Sequence, residues 1–224
     1  MKKLFLLALL AAASIAGVQA QARAGGGLSS KDYTGGGTTG SRNTGFGIKG
    51  GYNYTNVYGE GSKAFDLQGY NGYHAGVYGQ FGFNEFASLQ LELLYVRKGF
   101  DNNTIPNGAG NRRLDYLEVP VLFVGNVTET LSFHLGPEIS LLTKVRENGV
   151  NYAIADKGYN SVDYGAIAGV EARVGPARLG ARYDLGFGKI YNTDKVSLQT
   201  SNTQIKDRLS TGTVQLYVGI GFTQ

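Results

Sequence analysis

The chain has 224 residues, with 21 Lys and Arg against 17 Asp and Glu, 35 glycines, 15 tyrosines, 11 phenylalanines and no cysteine. That length suits one ordinary domain or a single barrel. The missing cysteine excludes disulfides, thiolate metal sites, cysteine nucleophiles and a lipid-modified N-terminal cysteine, and the near balance of charge gives no case for nucleic acid as a partner.

Residues 1–20 read as a secretory signal peptide. Lys2 and Lys3 precede the apolar run Leu4 to Val18, and Val18-Gln-Ala20 places small residues ahead of Gln21. The run is short for a membrane-spanning helix, and no other stretch approaches ~18 apolar residues. Without Lys2 and Lys3 the formal charge falls from +4 to +2 (19 basic against 17 acidic). Residues 21–44 are glycine-rich, with Gly25-Gly-Gly27 and Gly35-Gly-Gly37 among Ser, Thr and Asn. With so little apolar surface to bury, they are expected to form a flexible linker to a domain spanning 45–224.

From Phe46 onward the periodicity is two, the signature of strands with one apolar and one polar face. Eight stretches carry it: Phe46–Tyr54, Tyr73–Phe83, Ser88–Phe100, Arg113–Gly125, Leu131–Val145, Tyr164–Val174, Arg178–Lys189 and Thr211–Phe222. The last is the cleanest. Val214, Leu216, Val218, Ile220 and Phe222 alternate with Thr213, Gln215, Tyr217, Gly219 and Gly221. Twelve residues at about 3.3 Å each span roughly 40 Å, enough to cross a bilayer core at a ~45° tilt.

The connections alternate between short (84–87, 126–129, 175–177) and long (55–72, 101–112, 146–163, 190–210). Short turns at one rim, long loops at the other and an even strand number predict an all-β fold, an eight-stranded antiparallel transmembrane up-and-down barrel. The contrasting possibility is a soluble, lipocalin-like ligand-binding barrel with its apolar face inward. The polar faces favour the membrane barrel: Lys49, Glu92, Lys98, Glu118, His134, Glu138, Glu171, Arg173, Arg182 and Asp184 mix both signs with many glycines. A soluble surface would be denser in Lys and Glu, whereas a crowded lumen needs small residues and paired charges. The last-strand set Val214, Leu216, Val218, Ile220 and Phe222 then faces lipid. Tyr54, Tyr73, Phe83, Tyr95, Phe123, Phe187 and Phe222 are candidates for the interfacial girdles. Arg97, on the apolar parity, is expected at a rim where it can snorkel. Pro120 and Pro137, each lacking a ladder donor, are expected at a rim or a bulge.

Phe46-Gly-Ile-Lys-Gly-Gly-Tyr-Asn53, Gly72-Tyr-His-Ala-Gly-Val77, Leu91-Glu-Leu-Leu-Tyr-Val-Arg-Lys-Gly99, Tyr116-Leu-Glu-Val-Pro-Val121 and His134-Leu-Gly-Pro137 together resemble the porin-family, PorT-like outer-membrane β-barrel domain over about residues 45–224. The resemblance implies an eight-stranded outer-membrane barrel and little about activity; the PorT name derives from a protein-secretion role.

Three literal motifs carry no site. Gly45-Phe-Gly-Ile-Lys-Gly50 matches G-x-G-x-x-G, but its glycines lie within a strand pattern and no helix follows, so it is not a dinucleotide fingerprint. Ser132, His134 and Glu138 share a face, yet residues i and i+2 of a strand are nearly 7 Å apart, so a polar network with Arg173 and Arg182 is favoured over a catalytic set. Asp101-Asn-Asn103 and Asp194 offer too few recurring oxygens for a hard cation. The interior charges read as structural neutralisation in a filled lumen, with a narrow ion path as the alternative.

No catalytic residue, cofactor or metal is expected. The partners implied are outer-membrane lipid, the barrel insertion machinery and an envelope protein, and the location implied is the outer membrane of a diderm bacterium. The expected role is structural or surface-interacting through the long loops. A small-solute channel and a PorT-type secretion accessory are the alternatives.

Overall fold

A computed structural model of the chain describes residues 43–58, 67–102, 111–152, 159–188, 199–200, 203–204 and 210–222. The expected signal peptide, all but the last two residues of the expected linker, and Asp194 lie outside the described residues. Eight long antiparallel strands form the domain: β1 (Gly45–Tyr58), β2 (Leu67–Gly82), β3 (Ala87–Asn102), β4 (Arg112–Asn126), β5 (Leu131–Glu147), β6 (Val162–Val174), β7 (Ala177–Gly186) and β8 (Ser210–Phe222). Each pairs with its neighbour in sequence. β8 closes the cylinder on β1, in register from Phe46 opposite Phe222 to Tyr58 opposite Ser210. Closure leaves no strand edge, which is how a sheet satisfies its backbone in hydrocarbon.

The period-two pattern is realised around the whole wall. Along β8, Val214, Leu216, Val218, Ile220 and Phe222 point outward and are exposed, while Thr213, Gln215 and Tyr217 are buried inside. Phenylalanines ring the short-turn rim: Phe46 stacks near Phe222, and Phe86, Phe123 and Phe133 form a trio. Tyrosines concentrate toward the other end, where Tyr73 lies against Tyr95 and Tyr164 against Phe187. Two girdles flanking an aliphatic band are what two membrane–water interfaces select.

The short connections match their turn chemistry. Between β6 and β7 only Gly175 and Pro176 intervene, with Gly175 at φ 59°; positive φ at the first turn position suits the right-handed twist of the flanking strands. The long connections differ from the expected ones, because the ladders run on after the apolar alternation stops. Thr55 still pairs with Tyr70, and Arg112 with Glu147. Within the expected loop 146–163, Asn148 (φ 51°) and Gly149 (φ 84°) turn the chain back so that Val150–Tyr152 pairs with the end of β5. The Asn-Gly dipeptide is the sequence signal for that turn. A second small hairpin, Gln199–Thr200 with Thr203–Gln204, lies in the expected loop 190–210. β7 ends at Gly186 rather than Lys189.

The prolines are a correction. Pro120 lies inside β4, opposite Glu138, and Pro137 inside β5, opposite Ala166. Neither is at a rim or at one of the two register shifts, which fall between Gly69 and His74 and between Asp115 and Tyr116. The strand pairing is interrupted beside both prolines, between Leu91 and Leu94 and between Pro120 and Phe123, yet the register resumes unchanged. A missing donor therefore removes local bonds without displacing the strand.

Candidate functional site

The lumen is where strand parity brings the charged residues together. Of the ten interior residues read from the sequence, nine are buried; Arg173, near the short-turn rim, is half-buried. They sort into tiers along the barrel axis.

The tier nearest the short-turn rim centres on Glu171 of β6. Its Oε1 lies 3.1 Å from Arg173 Nε and 3.2 Å from Arg178 Nη1, and its Oε2 accepts a 2.9 Å bond from Tyr217. Arg178 also donates to Gln80 at 2.9 Å and lies over the Tyr78 ring at 4.5 Å. The middle tier centres on Glu92 of β3, which receives Lys49 at 2.6 Å and Arg182 at 2.7 Å on its two oxygens; Arg182 also donates to Gln215. Lys49 sits 4.2 Å from the Tyr217 ring centroid, tying the two tiers together. Nearby, His74 Nδ1 and Asn53 Oδ1 are 2.6 Å apart.

The third tier inverts the charge balance. Lys98 Nζ lies 2.6 Å from Glu118, 2.5 Å from Asp184 and 3.9 Å from Glu138. Carboxylate oxygens of those three residues approach within 4.8 Å of one another, and the Lys98 ammonium supplies positive charge to the cluster. Counting the named side chains, the first two tiers hold four cations (Lys49, Arg173, Arg178, Arg182) against two carboxylates (Glu92, Glu171). The third holds one cation against three. By formal charge the set balances, five basic side chains against five acidic ones, but it is segregated along the axis. Toward the long-loop rim the lumen ends in a buried apolar cluster of Phe100, Leu114, Tyr116, Leu142, Val145 and Tyr159.

Ser132, His134 and Glu138 are not assembled as a catalytic set, though the spacing argument fails for the first pair. Ser132 Oγ lies 3.4 Å from His134 Nε2 because the imidazole leans back along the strand. The carboxylate beside His134 is Glu171, 3.9 Å away, and Glu138 belongs to the Lys98 tier. All three are enclosed by the wall.

The apolar interior is what the sequence reading missed. Leu94, Val96, Leu122, Val124 and Ile167 sit on the inward parity and are fully buried. Their signal was the almost unbroken apolar run of β4, Leu117-Glu-Val-Pro-Val-Leu-Phe-Val124, since continuous runs mark strands buried on both faces.

Among proteins of known sequence, a family model described as outer membrane protein beta-barrel domain matches residues 19–192. No curated protein matches. Among solved structures, Neisserial surface protein A (NspA) superposes with TM-score 0.52 at 16% identity, over 79% of this chain and 97% of that one. Ail of Yersinia pestis gives 0.46 at 17%, over 80% and 99%, and OprG from Pseudomonas aeruginosa gives 0.44 at 12%, over 84% and 100%. At these identities the NspA match speaks for the fold alone.

Proposed function

The chain belongs to the outer membrane protein beta-barrel domain family, and from that premise we propose that it serves as a structural and surface-interacting barrel whose long loops make the functional contacts. It is an eight-stranded barrel of the outer membrane, bathed in lipid on its apolar wall. The observation that supports the loop-centred role is the filled lumen. Arg182 reaches Glu92, Lys98 reaches Asp184 and Arg178 reaches Gln80 across the bore, and the apolar cluster around Phe100 and Leu114 follows them toward the loop rim. Eight strands enclose a bore that side chains just fill, so a solute would have to break buried ion pairs to pass. The four long connections all emerge at one rim, the one that faces the outside in barrels with short periplasmic turns. Cleavage after Ala20 would deliver the mature chain to the periplasm, and the insertion machinery would receive it there.

Planar bilayers test this reading. The purified full-length barrel is expected to give no steady conductance steps, and truncation of loop 190–210 is expected to leave heat-modifiable gel mobility intact while abolishing binding to cell-surface material. Regular steps that vanish with Glu118→Gln and Arg182→Gln would overturn it in favour of a small-solute channel. The secretion-accessory role of the PorT type draws only on sequence resemblance; co-purification of one stoichiometric envelope protein would establish it in place of the loop-centred role.

A further inference from the structure

Among the described residues, the outer wall is uncharged except in one sector. Arg97, Arg113, Lys144 and Arg146 all lie on outward parity on β3, β4 and β5, at the long-loop end. Cross-strand register stacks them: Arg97 faces Asp115, which faces Lys144, and one row further out Arg113 faces Arg146. Among the described residues of the barrel strands, no other strand presents a charged side chain outward. Among the described residues on this outward face, the carboxylates are Asp115 and, further toward the loops, Asp101, so four cations meet two anions.

Asp115 is an anchor rather than a competitor. It is 1% exposed, and its oxygens accept from Arg97 Nε at 2.9 Å and from Arg113 Nε and Nη2 at 3.0 and 2.7 Å. One carboxylate thus fixes two guanidinium planes side by side. The Arg97 guanidinium carbon also lies 4.3 Å from the Tyr73 ring centroid, a cation–π contact that ties it to the wall. Lys144 is exposed and has no ion-pair partner among the described residues, and Arg146 is held only by its Nε bond to Asn151.

Depth gives the ligand's class. The residue two before Arg97 is Tyr95, opposite Leu117, and below them the wall is Leu93, Leu91 and Leu89 against Val119, Val121 and Phe123. Two residues advance a strand by about 7 Å, so the cations begin one step beyond the tyrosine row that marks the interface. That is the plane of lipid headgroups. Arginine forks fit phosphate oxygens in bidentate fashion, and lysine adds a mobile charge. We propose that the β3–β5 sector binds the phosphorylated headgroup of an anionic glycolipid in the outer leaflet, with Arg97 and Arg113 as the preset receptor and Lys144 and Arg146 as flanking charges. A lipid so held would sit against one side of the barrel and give it a fixed lipid neighbour.

Native mass spectrometry of the full-length barrel in detergent tests the assignment, with bisphosphorylated lipid A, the same lipid stripped of phosphate, and inorganic phosphate as probes. The barrel should retain the bisphosphorylated lipid, and Lys144→Gln with Arg146→Gln should weaken retention roughly thirtyfold, as expected for two lost interfacial charges. This variant leaves the Asp115 anchor whole, and unchanged heat-modifiable mobility certifies its fold. Arg113→Lys, which keeps the charge and loses the fork, should weaken retention less than the double variant. Equal retention of the stripped lipid, an unaffected double variant, or inorganic phosphate binding as tightly as the lipid would each overturn the proposal.

Discussion

Replacing Lys98 with methionine isolates the cost of the charge arrangement in the third tier. The ammonium is nearly inaccessible and contacts Glu118 and Asp184 at 2.6 and 2.5 Å, with Glu138 at 3.9 Å. Methionine keeps most of the volume, so little cavity is made and the loss is electrostatic. Removing one partner of a buried pair costs about 3–5 kcal/mol, because the remaining charge is stranded; here three carboxylates are stranded around one vacated position. With a urea slope near 2 kcal/mol/M, the unfolding midpoint should fall by about 2 M. The chain has no tryptophan, so the titration in phosphatidylcholine vesicles is followed by circular dichroism and gel mobility. Lys98→Met combined with Glu118→Gln and Asp184→Asn removes the ammonium with its two nearest carboxylates and should recover at least half of the loss. An unchanged midpoint for the single variant, or a triple variant as unstable as the single one, would refute the reasoning.

Three other substitutions probe the wall, the lumen and a turn. Leu216→Arg places a charge on the lipid face of β8 and should cost about 2–4 kcal/mol if that position lies near midplane; a cost below 1 kcal/mol in the same vesicle titration would move the hydrocarbon band elsewhere. Gly180→Ala inserts a methyl where the Tyr217 ring lies. Overpacking of this kind costs about 1–3 kcal/mol, and a neutral midpoint would mean the ring can swing away. Gly149→Ala forces a side chain onto φ 84°, at a local cost of about 1–2 kcal/mol. Hydrogen exchange should quicken at Val150–Tyr152 and not in β5 below Leu142; an unchanged exchange profile would count against that turn.

Parity made most of the fold legible. Once the strands are known to alternate, the inward position of Glu92 or Asp184 and the outward position of Leu216 follow without coordinates. Register did not show itself, because it depends on how far neighbouring strands slide along one another. Arg97 therefore read as an isolated snorkelling side chain. Its place in a row with Asp115 and Lys144 needs the pairing of three strands, including the shift at Asp115. The same holds for Lys98, whose carboxylates come from β4, β5 and β7. Composition misleads in one respect: the polar residues point to a charged lumen, although Leu94, Leu122 and Ile167 share it. Local spacing misled in another, since side-chain lean closed the gap between Ser132 and His134. The strand ends were short in the reading because hydrogen-bonded ladders outlast the apolar pattern that announces them.

The seam between β1 and β8 has a consequence in time. Its partners, from Phe46 with Phe222 to Tyr58 with Ser210, come from opposite ends of the domain, so no part of it can form until nearly the whole chain is available. Every other pairing joins sequence neighbours and can begin as a hairpin. Contacts of such long separation carry the largest loop-closure entropy and come late. Until then two unpaired edges face the medium, and both belong to terminal strands. The stretch Ser210–Phe222 is thus a timer for assembly: a chain stalled before it has seven strands and an open flank, and is the species a chaperone or protease would meet.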